Sequence, residues 1–143
     1  MLIAVPIIGL GKADPITGWD KLADKVSAIR REMADAGESF VCGYDYKTAS
    51  QLAFHLADHP EVYSCNIFGE NGLAYNYWGD LKSIQGINGV IVVDLRYRYR
   101  NERPLTEFFE SVATPETLTV IGAGKKVTDF QIYRCYNYKG ANP

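Results

Sequence analysis

Apolar residues recur with helical spacing near the start of the chain. Leu22, Val26, Ile29 and Met33 are spaced four, three and four apart and form one stripe, while Lys21, Lys25, Arg31 and Asp35 fall mostly off it. The pattern predicts a helix over residues 20–36, with Thr17 suited to cap it and Gly37 to stop it. Residues 39–44 (SFVCGY) read as a strand. Residues 46–57 predict a second helix, with Ala49, Leu52, Ala53 and Leu56 on one side, Asp45 at its cap and Pro60 closing it. Residues 61–67 (EVYSCNI) predict another strand, and a strand–helix–strand unit of this length implies a right-handed parallel crossover. Residues 68–85 show no regular period. Asn71-Gly72 marks a turn there, and Tyr75, Tyr77 and Trp78 fall in a loop. Residues 88–95 (NGVIVVDL) are almost continuously apolar, as in a strand covered on both faces. Residues 104–112 predict a short helix, with Pro104 in its first turn and Leu105, Phe108, Phe109 and Val112 inward. Residues 117–121 and 127–138 predict two strands, joined through a turn at 122–126 into an antiparallel hairpin at one sheet edge. The order α-β-α-β-loop-β-α-β-β predicts an α/β fold: a three-layer sandwich with a mostly parallel sheet of about five strands and an antiparallel hairpin edge.

Composition narrows the class. The 143 residues are 47% hydrophobic and 22% charged, which suits one globular domain and excludes collagen, coiled coil or disorder along the whole chain. Fifteen basic against seventeen acidic side chains give a net charge of -2, which argues against a nucleic-acid partner. Residues 1–11 (MLIAVPIIGLG) carry no charge, yet they are too few to span a bilayer and lack the basic start of a signal peptide. A buried first strand and the tail of a membrane helix are both open, although Pro6, Gly9 and Gly11 fit neither a central strand nor a regular helix. The expected organisation is a single soluble α/β domain over residues 14–143, preceded by this segment. Cys42, Cys65 and Cys135 are widely spaced, and no CxxC pair exists to suggest a disulfide framework. Buried free thiols, or one Cys42–Cys65 bridge in an oxidising compartment, fit that spacing.

Candidate chemistry follows from the topology, because ligands of open α/β sheets sit beyond the carboxyl ends of the strands. Tyr44, Asp45 and Tyr46, then Asn66, then Asp94 to Arg98 fall at such ends. Asp45 equally suits a helix cap, and Asp94 equally suits an ion pair with an arginine. Arg96, Arg98 and Arg100 alternate with Tyr97 and Tyr99, which in an extended chain puts guanidinium forks on one face and rings on the other. That strip suits a phosphate, carboxylate or sugar, or equally a solvated basic edge. Tyr75, Tyr77 and Trp78 suit stacking on a sugar or covering a core end. His55 and His59 have an i, i+4 spacing, but no glutamate follows His55 and Pro60 ends the helix, so no metal site is expected. No nucleophile elbow is present, and Gly122 to Lys126 lacks the following helix that a phosphate cradle needs. No cofactor is expected.

Four segments carry a family resemblance. They are DP-x-x-GWDKLA (residues 14–23), YDYKTASQLAFHL (44–56), HPEVYSCN (59–66) and Tyr75-Asn-Tyr-Trp78. Their order resembles the soluble C-terminal region of bacterial membrane glycosyltransferases of the protein-mannosyltransferase type, which use polyprenyl-phosphate-linked sugars. The likeness covers roughly residues 14–93. In that family the second helix commonly reads Tyr-Gln-x-Ala-Ser-x-Leu-Ala-Phe-Tyr; here Lys47 replaces the glutamine and His55 the last tyrosine. The resemblance implies that residues 1–13 are the end of a membrane helix or a linker, and that the rest is an extracytoplasmic (periplasmic) domain beside the membrane, partnered by the transmembrane part of the same protein. It implies a lipid-linked sugar or a glycan acceptor as the ligand. It places no catalytic residue in this chain, since the family's acidic catalytic residue lies between early membrane helices. Tyr44, Tyr46, Ser50, Gln51, Tyr75 and Trp78 match the family pattern and are candidates for substrate contact or docking, alongside Asp45, Asn66, Asp94, Arg96 and Arg98 from the strand ends.

Overall fold

The apolar stripe near the start becomes α1 (Trp19–Met33) in a computed structural model that describes residues 18–73, 79–96 and 104–142. Leu22, Val26, Ile29 and Met33 are buried on it, together with Trp19 and Ala23. Gly18 precedes the first turn in a left-handed conformation (φ 100), and a Cβ there would lie 2.7 Å from the Val120 side chain. Only glycine fits that close approach. Thr17 lies outside the described residues, as do residues 1–16.

The expected crossover is present. β1 (Ser39–Gly43) leads into α2 (Tyr46–His55), and β2 (Val62–Tyr63) returns parallel to β1 with Val41 opposite Val62 and Cys42 opposite Tyr63. Asp45 caps α2: the Thr48 amide and hydroxyl donate to its carboxylate at 2.9 and 2.8 Å. β2 is much shorter than the expected span of 61–67. The Asn66 side chain accepts from the Ser64 amide at 3.1 Å, and the chain coils into a 3-10 turn over Cys65–Phe68. An asparagine bonding its own neighbouring backbone competes with the ladder, and here it wins.

β3 (Asn88–Asp94) is buried along its whole length and runs parallel to β1. Its other flank takes β6 (Lys125–Tyr138) antiparallel, with Ile91 opposite Tyr133 and Val93 opposite Gln131. The expected helix over 104–112 is instead a 3-10 turn (Leu105–Glu107) followed by β4 (Phe109–Val112). The spacing of Leu105, Phe108, Phe109 and Val112 fits a helix, but the flank of β6 beyond β5 (Glu116–Gly122) offers ladder bonds that β4 takes, with Phe109 opposite Tyr138. β5 and β6 form the expected hairpin through Ala123 and Gly124, both with positive φ (51 and 77), the geometry of a two-residue hairpin turn.

The strand order is β2-β1-β3-β6-β4, with β5 also on β6. The expectation of a mostly parallel sheet in three layers gives way to an open, mixed sheet of six strands: two pairings are parallel and three antiparallel among the described residues. Both helices pack on one face, over Val41, Val90, Val92, Phe130 and Ile132. The other face carries Phe40, Cys42, Ile91, Val93, Cys135 and Tyr138 and is covered by turns that bring in Ile67, Phe68, Ile84 and Phe108. Asn137, at φ 56, breaks the alternation of β6 and lets Tyr138 share a face with Cys135.

Candidate functional site

The parallel strands β1 and β3 end side by side, and a cleft of about 430 Å³ opens there on the face away from the helices. Tyr44, one residue past β1, forms one wall; its amide donates to the Val92 carbonyl at 2.9 Å and its ring lies 5.3 Å from that of Phe68. Val93, Leu95, Leu105 and Val112 supply apolar wall. Thr106, Gln131 and Tyr133 supply polar groups, and the Tyr133 hydroxyl donates to Gln131 Oε1 at 2.9 Å.

Strand pleating separates Asp94 and Arg96 from this cleft. Asp94 follows Val90 and Val92 onto the helix face and is fully buried. It accepts from the Thr128 hydroxyl at 2.7 Å, from the Arg96 amide at 3.0 Å and from Arg96 Nε at 3.0 Å. The Arg96 guanidinium lies over the rings of Trp19 and Phe130, 5.2 and 5.7 Å from their centroids. The pair is therefore engaged in joining β3 to α1 and β6, with the guanidinium turned inward.

The remaining candidates are dispersed. Asp45 is bound to Thr48 as the cap of α2, and Asn66 is bound within its turn. Tyr46 and Ser50 are exposed on α2, and Gln51 is half-buried. Tyr75, Trp78 and Arg98 lie outside the described residues, as do Arg100, Tyr77, Tyr97 and Tyr99. Of the candidate site residues that the structure describes, Tyr44 is the one that lines the cleft. Thr106, Gln131 and Tyr133 went unnoticed in the sequence; the i, i+2 spacing of Gln131 and Tyr133 in an expected strand, which puts them on one face, is the signal that bears on them.

The thiols are free. Burial pushes the Cys42 thiol well above its usual range, and Cys65, Cys135 and Asp45 push it in the same direction; burial also raises Cys135. A thiol held protonated in this way is a poor nucleophile. Among the described residues no group of three or more His, Cys, Asp or Glu could hold a metal ion, and no helix is long and apolar enough to cross a membrane. The fold and cleft define an open-sheet α/β domain with a pocket at the carboxyl ends of its parallel strands. No family model, curated protein or solved structure matches the chain.

Proposed function

We propose that the chain is the extracytoplasmic, non-catalytic domain of a membrane glycosyltransferase of the protein-mannosyltransferase type. It seats against the transmembrane part of the same protein and helps to position the glycan acceptor or the polyprenyl-phosphate-linked donor. The observation that carries this reading is the outer side of α2. The segment that resembles the family buries Ala49 and Leu52 but turns Tyr46 and Phe54 outward, 45% and 73% exposed, with Ser50 between them at helical spacing. Two aromatic rings on one stripe suit a surface that another body covers, and burying a phenylalanine there would contribute about 1.5–3 kcal/mol. The neighbouring segment, 59–66, belongs to the same β1–α2–β2 unit, so two of the resembling stretches form one continuous piece of the domain.

In the intact enzyme, a Tyr46→Glu/Phe54→Glu variant is expected to lose most sugar transfer while the urea midpoint of this domain stays unchanged. Full transfer by that variant would remove the docking role. A second reading is a stand-alone α/β module for a small anionic or sugar ligand, and the cleft favours its sugar form. Apolar spans encoded in frame ahead of Met1 support the first reading; a translation start signal there supports the second.

A further inference from the structure

The cleft wall combines features that core packing does not require. Gln131 sits in the middle of β6 with strands on both sides, opposite Val93 on β3 and Thr117 on β5. Its backbone is therefore fixed. Its neighbours on that face of the sheet, Val93, Ile91 and Cys135, are buried and belong to the second core. A half-buried amide in such a row carries a desolvation cost that an aliphatic residue would avoid. The amide is also oriented: the Tyr133 hydroxyl donates to Oε1, which leaves Nε2 as the donating end. Thr106 adds a hydroxyl, and Val93, Leu95, Leu105 and Val112 form apolar wall.

The described lining residues point to a class of ligand. None of them is Asp, Glu, Lys, Arg or His. They offer a charged ligand no counter-charge for the water it would lose. A ligand with hydroxyls on its rim and C–H faces on its plane would meet amide and hydroxyl groups at one side and aliphatic walls at the other. The volume of about 430 Å³ lies at the small end of the range for small-molecule sites.

We infer that this cleft is a binding site for an uncharged, hydroxyl-bearing ring of the monosaccharide type, held by Gln131, Tyr133 and Thr106. It deepens the positioning role proposed above and rests on that reading for its biological setting.

The test is titration of the purified chain with methyl glycosides of the common hexoses and N-acetylhexosamines, and with inorganic phosphate, followed through the Gln131 side-chain amide resonance and, in every variant, the backbone amide resonances of residues 106, 131 and 133. At least one glycoside is expected to shift that resonance saturably, with no shift from phosphate. Gln131→Leu, which keeps the shape and removes the hydrogen bonds, is expected to weaken binding about tenfold, the scale of one lost hydrogen bond. Thr106→Val, at the exposed rim, serves as a second variant should the first disturb folding, and the same direction is expected. No saturable shift from any glycoside would overturn the inference. So would tighter binding of phosphate than of the glycosides, or unchanged affinity in a folded variant. Failure here leaves the transfer defect of the α2 variant standing, and failure there leaves glycoside binding standing.

Discussion

Asp94 and Arg96 are two residues apart at the end of β3, and the strand's pleat decides what they can do. In the run NGVIVVDL both faces are apolar, so the sequence does not reveal which face receives the aspartate. The structure puts it on the helix side, where Thr128 and Arg96 satisfy it and the rings of Trp19 and Phe130 cover the guanidinium. Arg96 is then a substitute for solvent. Arg96→Ala removes a counter-charge from a buried carboxylate and is expected to cost about 3–5 kcal/mol in urea unfolding, while an Asp94→Val/Arg96→Met double variant regains much of that loss. A single-variant loss under about 1 kcal/mol would show that Thr128 and the backbone suffice. The same reasoning explains why Gln131 and Tyr133 were hard to recognise: in sequence they are two polar-tipped residues in a strand, and only the ladder reveals that they line the same wall as Tyr44.

At the level of elements, local patterns were legible wherever they agreed with long-range pairing. α1, β1, α2, β3 and the β5–β6 hairpin lie close to the residues that periodicity and turn chemistry indicate. The exceptions have physical causes. Residues 109–112 satisfy a helical pattern, yet β6 offers them a ladder; residues 64–67 fall in the expected strand, yet Asn66 ties the chain into a turn. Gly43 is a requirement that the sequence hides. A Cβ at this last residue of β1 would lie 2.3 Å from the Ala49 amide nitrogen and 2.7 Å from the Ala49 Cα, both backbone atoms of α2. Gly43→Ala therefore has to push the helix off the strand and is expected to destabilise the domain by about 1–3 kcal/mol. A wild-type melting temperature for that variant would mean that the approach of α2 to β1 is looser than described.

For the whole molecule, the governing feature is β6. Its fourteen residues pair with β3 on one side and with β4 and β5 on the other, so it joins the parallel half of the sheet to the antiparallel half. Every strand it joins precedes it in the chain. On a ribosome, the β2–β1–β3 half must wait with one flank of β3 open until this last strand emerges, and contacts between distant segments form late in any case. A nascent chain arrested once Gly122 has cleared the exit tunnel is expected to be cut by protease throughout, and one extended through residue 142 to resist. Protection of a fragment ending before residue 95 in the arrested chain would show that the parallel half holds together alone. The keystone of this domain is thus laid last, which leaves the exposed flank of β3 in want of a chaperone's cover for the time it takes to synthesise the rest.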